Sequence, residues 1–455
     1  MSLTGQRKRI VILGAGFAGF HAALEFERTV ARDPSVDVVL VNPQNFLVFT
    51  PMLHEVAAGA LDPHSIVVPI REALRHVRFL QAQTQGVDFE NRVVTVAYGL
   101  DRRTRTLRFD HLLIAAGAQT RFPPGLRQHV HGMKTIHDAL VLRNWLVALL
   151  ERAEIEEDPA QRRALLTIVV AGGGFSGVET ISSINDFLHE VAPQYPRVSL
   201  ERPKLVLVHP NERLLPEFDP GLADYTTSRL RAAGIDVRLR TRISDFNGRT
   251  LRLDAPDGHR GPAQLLARTL VWTAGVAPSP LVESLPLGKD RGRIFVDASL
   301  SVPGYAGVWA CGDCAAVLDP HGKPYPATAQ HAVRQGRQAA RNIVAALRQQ
   351  PERIRPFRYQ MLGQFATIGR RNAVATLFGR RFSGFIAWLM WRGAYLAMLP
   401  GAGRKLRVFL QWALEIGFPR DAVQLLTAQS VVSRRLEELI DSARAAEAAD
   451  AVPQR

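Results

Sequence analysis

Two stretches of this chain share one pattern of apolar and polar positions. In each stretch, a short apolar run is followed by a glycine-rich turn and then by a helical pattern. The first stretch consists of residues 10–13 and 14–19, and the second of residues 167–171 and 172–177. Uninterrupted apolar runs of this length are typical of strands that are buried on both faces of a parallel sheet. The pattern therefore predicts two strand–turn–helix units in one chain.

The glycine spacing of both turns indicates dinucleotide binding. In this spacing the first glycine makes the turn, the second lets the backbone approach a pyrophosphate, and the third lets helix and strand pack closely. The residues predicted to do this are Gly14, Ala15, Gly16, Phe17, Ala18 and Gly19 in the first turn, and Gly172, Gly174, Phe175 and Gly177 in the second. Two such turns suggest two dinucleotides, and hydride transfer between nicotinamide and flavin is the chemistry that needs both.

Further apolar runs divide the chain into parts. Residues 36–41 and 204–208 indicate the second strand of each unit, and residues 307–313 indicate a return to the first unit. We expect an α/β fold with two Rossmann-like domains, the second inserted into the first. The expected parts are 1–120 and 286–365 for FAD, 121–285 for NAD(P)H, and 366–455 for a C-terminal amphipathic region with a polar helical tail from about Ser430. A long helix is expected to start with Asp138 as its N-cap.

The composition limits which class of protein this is and which partners it binds. Of the 455 residues, 47% are apolar and 22% charged, which is typical of a globular protein, and the net charge of +15 favours anionic partners. Nucleic acid is not expected, because no recognised binding motif accompanies the charge. No uncharged apolar run reaches 18 residues, and the first strand begins too early for a signal segment, so we expect neither a spanning helix nor a leader.

The chain has only two cysteines, Cys311 and Cys314. This number excludes a disulfide framework, and a metal site is not expected because a second ligand pair is missing. Their spacing permits a redox disulfide, which we rank below a structural role. Between them lies Asp313, at the end of a predicted strand. Its carboxylate is expected to bind the ribityl chain of a flavin, or alternatively to cap a helix.

Two strand ends lack the acid that usually binds a ribose in such folds. Asn42 ends the second strand of the first unit, and its amide oxygen is able to accept the same hydrogen bond. His209 ends the corresponding strand of the second unit, with Arg213 nearby. A carboxylate at this position would repel the 2′-phosphate of NADPH. Because it is absent, the sequence does not decide between NADH and NADPH as the cosubstrate. Glu179, on the first turn of the second helix, is expected either at the nicotinamide or simply at the positive end of the helix dipole.

The region after residue 366 is rich in aromatic and basic residues. The aromatic residues are Phe378, Phe382, Phe385, Trp388, Trp391, Tyr395, Phe409 and Trp412, and the basic ones are Arg380, Arg381, Arg392, Arg404, Lys405 and Arg407. One interpretation is a packed helical pair with a solvated basic face. The interpretation we favour is an interfacial element, with aromatic side chains at headgroup level and arginines on anionic phosphates.

With these motifs, the chain resembles the type II NADH:quinone oxidoreductases over nearly its whole length. The matching segments are residues 49–57, 172–179, 272–276, 310–313 and 329–332, the last resembling the start of a quinone-site motif. The resemblance implies a glutathione-reductase-like pair of domains, FAD as cofactor, NADH as cosubstrate and a membrane quinone as acceptor. It also implies further FAD-site residues, namely Asn42, Thr50, Pro51, Ala116, Gly117, Gly312, Asp313, Ala329 and Gln330, and adds His209 and Gly275 to the nucleotide sites.

The same resemblance implies a quinone side of the site. The residues expected there are Glu55, Gln330 and Arg334, and those expected to act in catalysis are Glu179, Gln330 and His331. Gln330 and His331 open a predicted helix whose dipole would favour a reduced, anionic flavin, although both are also ordinary helix residues. Arg334 stands where the motif usually ends in glutamine, with Gln335 one residue later.

We therefore expect a non-pumping, FAD-dependent NADH:quinone oxidoreductase that is peripheral to the cytoplasmic face of the inner or cell membrane, works on an anionic surface and forms a homodimer. Two other hypotheses remain. One is an NAD(P)H-dependent flavoprotein reductase with another acceptor, and the other is a redox sensor that binds flavin and NADH. An anaerobic reduction by nucleotide, followed by addition of quinone, separates the three.

Overall fold

The computed structural model describes residues 7–254 and 264–424. The strands of these residues, β1 to β25 in chain order, are Lys8–Leu13, Val36–Asn42, Phe46–Val48, Val67–Pro69, Arg78–Gln81, Gln83–Asp88, Val93–Tyr98, Arg103–Arg108, His111–Ile114, Ala118–Thr120, Thr167–Ala171, Lys204–Val208, Asp236–Arg238, Arg242–Phe246, Thr250–Asp254, Gln264–Leu266, Thr269–Trp272, Val276–Pro278, Lys289–Asp290, Arg293–Phe295, Val308–Ala310, Ala315–Ala316, Gly363–Thr367, Ala373–Leu377 and Arg380–Ser383. The α-helices, α1 to α13, are Phe17–Thr29, Leu53–Ala57, Pro63–Ile66, Ile70–Ala73, Ile136–Ile155, Pro159–Leu165, Phe175–Val191, Pro196–Leu200, Pro220–Ala232, Pro280–Ser284, Ala329–Leu347, Gly384–Met398 and Ala402–Leu414. The polar tail expected from Ser430 lies outside the described residues.

The described residues group into two compact units. The first unit holds residues 7–48, 67–119 and 276–361, and the second holds 49–66, 120–275 without the undescribed 255–263, and 362–424. The short segment with α2 and α3 thus packs in the second unit, as do the last three strands and the last two helices. This grouping describes packing, and the four-part domain division stays a prediction.

The first unit is built on a five-stranded sheet in the order β21-β9-β1-β2-β5. Its pairs are parallel, with Ile10 opposite Val38 on one side and His111 on the other. The apolar run of β1 is almost completely buried, as the pattern of the sequence predicts. Strand β21 pairs with β9, so the expected return of the chain to the first sheet is present.

Helices α1 and α11 pack closely beside this sheet. Gly336 of α11 makes the contact possible, because a Cβ at this position would come within 2.0 Å of the Ala18 carbonyl oxygen. Arg341 of α11 also pairs with Glu25 of α1 at 2.8 Å. The first glycine turn and the start of α11 are therefore held by one helix pair.

The second unit contains a four-stranded parallel sheet in the order β13-β12-β11-β17. This order corresponds to β5-β2-β1-β9 of the first sheet. In both sheets a glycine turn follows the strand in the third position, which is β1 in the first sheet and β11 in the second. Helix α5 begins with Thr135 as N-cap, not Asp138 as the sequence predicts. Asp138 is the third residue of the helix, and the two residues form a capping box in which each side chain accepts from the other's backbone.

Short helix α2 packs on α5 and α7 in the second unit, and α12 packs on strands β23 to β25. Helices α12 and α13 also contact each other. The described residues contain no helix that is both long enough and apolar enough to cross a bilayer.

Candidate active site

The first glycine turn leaves the start of α1 open to a ligand. Gly14 has a φ of +98°, which suits glycine, and a Cβ at Gly19 would come within 1.8 Å of the Gly14 carbonyl oxygen. Gly16 is the N-cap of α1 and has no side-chain cap, and no atom of the described chain lies within 4 Å of a Cβ built there. Because backbone N–H groups at an open helix start bind anions, this turn fits the pyrophosphate of a dinucleotide.

The second glycine turn repeats this geometry at the start of α7. Gly172 has a φ of +113°, and a Cβ at Gly177 would come within 1.7 Å of the Gly172 carbonyl oxygen. Gly174 is the N-cap of α7, again without a side-chain cap and with open space around a Cβ as far as the described chain extends. Each unit by itself therefore offers one pyrophosphate site of the same construction.

The two strand-end residues expected at a ribose hold the backbone of their glycine turns. Asn42 accepts a hydrogen bond from the Ala15 N–H through Oδ1 at 2.9 Å. His209 accepts one from the Gly173 N–H through Nδ1 at 3.0 Å. Burial lowers the pKa of His209, so that its ring is neutral at physiological pH. The ribose roles stay predictions, and the structure adds a second role at both positions.

Of the remaining predicted nucleotide residues, three follow strands of the unit in which they are expected, whereas Thr50 and Pro51, expected at FAD, lie in the second unit. Ala116 and Gly117 follow β9 in the first unit, and Gly275 follows β17 at the matching place in the second. Gly117 and Gly275 have positive φ values of 65° and 75°. Thr50 and Pro51 lie in a 3₁₀ helix, Thr50–Met52, in the second unit.

Gly312 and Asp313 lie in a 3₁₀ helix directly after β21. The Gly312 N–H donates to Oε1 of Gln335 at 2.8 Å, and Gln335 is buried on α11. A small cavity in the first unit is lined by both Gly312 and Asp313 together with Thr328, His331 and Gln335. Asp313 therefore lines this cavity, and its contact with the ribityl chain stays a prediction.

The residues expected at the start of α11 form one cluster with an aromatic partner. Tyr359 donates through its hydroxyl to Oε1 of Gln330 at 3.0 Å, and the Arg334 guanidinium lies 4.1 Å from the centre of the Tyr359 ring. His331 is buried, with Nδ1 2.8 Å from Oγ1 of the N-cap Thr328, and Ala329 is the first residue of the helix. Burial, and next the charge of Arg334, lower the pKa of His331.

Both cysteines are buried free thiols. Burial raises the pKa of Cys314 to about 11, and its thiol donates to the Cys311 carbonyl oxygen at 3.3 Å. Burial raises the pKa of Cys311 as well. A thiol that stays protonated is a poor nucleophile, so burial disfavours a redox reaction of this pair. The described residues also hold no group of three or more potential metal ligands.

Glu179 is the fifth residue of α7, just beyond the first turn where the sequence places it, and is buried with 7% of its surface exposed. Its Oε1 accepts a hydrogen bond from the Thr367 N–H at 3.3 Å, and its Oε2 lies 4.0 Å from Nε2 of His54. Burial raises the pKa of Glu179 to about 8, with a smaller contribution from Glu55, against the Thr367 N–H and the Trp391 indole, which lower it. The carboxyl is therefore protonated at neutral pH.

Glu55 and His54 line a cavity of about 60 Å³ in the second unit, together with Ser183, Asp186 and Glu190. Glu55 accepts a hydrogen bond from the Trp412 indole at 3.1 Å. Burial raises the pKa of Glu55 to about 7, although Arg392 opposes this. Burial also raises the pKa of Asp186 to about 6. Two carboxyls that titrate near neutral pH thus face one small internal space.

A chain of ion pairs closes this cavity on the side of the C-terminal helices. Arg392 lies between the rings of Trp388 and Trp412, at 4.1 and 4.6 Å, and pairs with Glu415 at 3.0 Å. Arg420 pairs with Glu415 and, at 3.6 Å, with Glu190. Both arginines therefore pair with carboxylates of the protein itself, and the expectation that Arg392 contacts lipid phosphates is wrong.

Comparisons with known proteins agree with this geometry. A family model for pyridine nucleotide-disulphide oxidoreductases matches residues 8–336, and one for the NDH2 C-terminal domain matches residues 361–421. The chain is 32% identical to a type II NADH:quinone oxidoreductase of Mycobacterium tuberculosis, over 97% of this chain and 95% of the relative. It is 33% identical to a demethylphylloquinone reductase of a Synechocystis species, over 90% of this chain and 96% of that one. The chain belongs to the type II NADH:quinone oxidoreductase family.

Structural similarity supports the fold of this type II NADH:quinone oxidoreductase family member. The structure of NDH2 from Plasmodium falciparum in complex with RYL-552 superposes with a TM-score of 0.85 at 21% identity, covering 92% of this chain and all of that one. The expected two-dinucleotide α/β fold is therefore confirmed.

The contacts of three residues of this type II NADH:quinone oxidoreductase family member are missed by the sequence reasoning. Gln335 holds the Gly312 loop, and its signal is its place one helical turn after His331. His54 faces Glu179 from another part of the second unit, and the sequence gives no sign of this contact. Trp412 donates to Glu55 from 357 positions away, and its aromatic character alone suggests a lipid contact instead.

Proposed function

We propose that this chain works on an anionic membrane surface, where it oxidises NADH with FAD as its cofactor and reduces a membrane quinone. The activity follows from membership of the family: the chain is an FAD-dependent NADH:quinone oxidoreductase that does not pump protons. The observation that supports it most directly is the pair of open glycine turns, one in each unit, on sheets of matching strand order.

The residues of each unit fit the nucleotide expected there. In the first unit, the open N–H groups after Gly16 hold the FAD pyrophosphate, and Asp313 holds the ribityl chain. In the second unit, the N–H groups after Gly174 hold the NADH pyrophosphate, and Glu179 serves the nicotinamide. Bound FAD would supply a hydride acceptor that is able to pass two electrons on to the quinone. The protein supplies position and a dry environment for this transfer.

In the first unit, the residues proposed to contact the acceptor are Gln330, His331 and Arg334. Gln330 and Arg334 are ordered by Tyr359, which gives a quinone ring polar contacts of defined direction. The relatives named as quinone reductases support this assignment. His209 carries no negative charge that would repel a 2′-phosphate, so NADPH is tested beside NADH.

The outer face of α12 and α13 supports the membrane surface. Seven large apolar residues each expose between 50% and 63% of their surface, and they are Phe385, Ile386, Leu389, Leu406, Phe409, Leu410 and Leu414. On the inner face, Trp391 and Trp412 are buried, so these aromatics pack in the protein and do not reach the headgroups as expected. An exposed apolar face of this size, on a basic chain, fits an anionic interface. The cytoplasmic face and a homodimer stay part of this proposal.

An anaerobic experiment tests the function. The yellow protein is mixed with NADH or NADPH, loss of the flavin absorbance is followed, and a short-chain quinone is then added. We expect rapid bleaching and rapid recovery of the absorbance. Bleaching without recovery would point to another acceptor or to a sensor, and no bleaching by either nucleotide would overturn the proposal.

A further inference from the structure

The turn between β23 and β24 carries two exposed arginines on an anchored backbone. Arg370 and Arg371 lie at its tip, and Arg371 has a φ of +55°, in the left-handed region that residues with a side chain rarely adopt. The Ile368 N–H donates to the Asn372 carbonyl oxygen at 3.0 Å, which closes the turn. The Asn372 side chain in turn accepts from the hydroxyl of Tyr225 on α9 at 3.2 Å. The backbone beneath the two guanidinium groups is therefore held from within the turn and from α9.

Both arginines of this turn line the cavity of about 60 Å³ in the second unit, and two further arginines form part of its wall. The wall arginines are Arg392 and Arg420, whose side chains are 16% and 10% exposed. Nε of Arg392 and Nη1 of Arg420 have no hydrogen-bond partner among the described residues. Because a buried N–H group without a partner costs free energy, these two groups call for an acceptor at this cavity.

The acids in the lining do not balance the four arginines. Glu415 and Glu190 are already engaged in ion pairs with the two wall arginines. Burial raises the pKa of Glu55 to about 7 and that of Asp186 to about 6, which reduces the negative charge of both near neutral pH. Neither arginine of the turn has an ion-pair partner among the described residues. The lining therefore retains a positive excess.

The size and the polarity of the cavity suit a tetrahedral oxyanion. One water molecule needs roughly 10–15 Å³, so about 60 Å³ holds roughly four to six waters or one anion of five heavy atoms. Ser183 and Thr367 add hydroxyl groups to the lining, and Oγ1 of Thr367 also lacks a partner among the described residues. Guanidinium groups bind phosphate oxygens through planar, bidentate hydrogen bonds. An anion with several oxygens is therefore a better occupant than an apolar ring.

We propose that this cavity binds a phosphate group, which joins Arg370 and Arg371 of the turn to the wall arginines Arg392 and Arg420. Inorganic phosphate and the headgroup of an anionic lipid share this chemistry. The lipid as a source rests on the proposed membrane surface, whereas the site itself does not. One ligand then holds the turn, α12 and the segment after α13 together, in addition to the contacts between their side chains. The site is separate from those of the two dinucleotides, whose pyrophosphates are expected at the glycine turns.

The first test measures thermal unfolding of the FAD-loaded protein, with saturating NAD⁺, while sodium phosphate replaces sodium chloride at constant ionic strength. We expect a saturable rise of the midpoint, roughly 3–6 °C at ten times the dissociation constant. The double variant Arg370→Gln with Arg371→Gln changes exposed side chains only, so it should fold, and it should lose this rise. Arg229→Gln with Arg252→Gln removes the same charge from exposed positions of the same unit outside the cavity, and should respond like the wild type.

Hydrogen exchange of the turn locates the ligand and separates its two sources. The backbone amides of residues 368–372 are followed with inorganic phosphate, with phosphatidylglycerol vesicles and, as the control of neutral headgroup, with phosphatidylcholine vesicles. Slower exchange with phosphatidylglycerol identifies a lipid headgroup, and slower exchange with inorganic phosphate alone identifies the free anion. Either effect should vanish in the turn variant, and an equal response of this variant and the wild type, or no response of the wild type, would overturn the site. If the wild type does not bind the vesicles, the proposed membrane surface is wrong, and inorganic phosphate still decides on the site.

Discussion

The imidazole Nδ1 of His209 accepts a hydrogen bond from the backbone N–H of Gly173 at 3.0 Å. The same loop returns to Gly173 a second time, since the Leu215 N–H donates to its carbonyl oxygen at 2.7 Å. His209, which directly follows β12, thus fixes the shape of the nucleotide-binding turn and also sets the charge at the predicted ribose position. Substitutions at this position separate the two effects.

In His209→Glu, the carboxylate retains an acceptor for Gly173 but adds a negative charge. We expect kcat/KM for NADPH to fall roughly tenfold or more relative to that for NADH, because close like charges repel. His209→Gln keeps an acceptor without the charge and serves as the control, with an unchanged ratio of the two values. Steady-state kinetics with both nucleotides check this, and equal loss with NADH and NADPH would contradict it.

The glycine turns offer a matched pair of substitutions. Gly16→Val and Gly174→Val add side chains into open space, at N-caps with extended backbone, so both variants should fold. Gly16→Val should lose FAD, because the side chain occupies the pyrophosphate position. Gly174→Val should keep the yellow colour but no longer bleach with NADH, whereas dithionite still reduces it. Absorbance spectra and nucleotide titration check both; a Gly174→Val protein reduced at the wild-type rate would refute the assignment.

Glu179 makes stability depend on pH in a direction that follows from its environment. Its pKa rises on folding from 4.5 to about 8, so the folded state holds a proton that the unfolded state has lost between these values. Its contribution to the free energy of unfolding is therefore complete below pH 4.5 and is lost as the pH rises to about 8. Glu179→Gln should remove this dependence.

Thermal unfolding of the wild type and Glu179→Gln across this pH range measures the effect. We expect the variant to gain stability relative to the wild type as the pH rises. Glu283→Gln, at an exposed carboxyl, is the control and should show no such trend. A constant difference between the wild type and Glu179→Gln at every pH would show that Glu179 is ionised in the folded protein.

The hydrogen bond between Trp412 and Glu55 links α13 to α2. Trp412→Phe removes the donor and leaves a buried carboxyl oxygen without it, which should cost about 1–3 kcal/mol of stability. Glu55→Gln in the same background should recover part of this, because an amide has its own donors. Chemical denaturation of the two single variants and the double variant gives the coupling energy. Additive effects would mean that the bond contributes nothing.

The outer apolar face of α13 is separable from the core of the second unit. Leu406→Ser with Leu410→Ser changes exposed residues only, whereas deletion of the region would also remove the buried Trp391 and Trp412. We expect that the double variant no longer co-sediments with anionic vesicles and that it keeps its NADH-to-dye activity. Val423→Ser, at another exposed apolar residue, is the control. Unchanged sedimentation of the double variant would contradict the membrane role of this face.

The sequence predicts the sheets and the glycine turns because these depend on local patterns. Apolar runs set the buried strands, and glycine spacing sets the turns and the helix starts. The start of α5 is missed because Thr135 and Asp138 both suit an N-cap, and only the reciprocal hydrogen bonds decide between them.

Contacts between distant segments explain what the sequence does not reveal. His54 meets Ser183 across 129 positions, and no local pattern encodes such a meeting. The roles of Arg392 and Trp412 depend likewise on which side of a helix becomes buried. Because the C-terminal helices carry aromatic residues on every side, composition alone predicts lipid contact for all of these residues.

The C-terminal helix pair and the second glycine turn belong to one compact unit. If lipid binds the outer face of α12 and α13, as proposed, the same contact also sets the height of this turn above the bilayer. That height is a property of the packed protein, not of a tether. The nucleotide site of the second unit then lies at one fixed height above the bilayer surface, whatever the thickness or the curvature of the membrane.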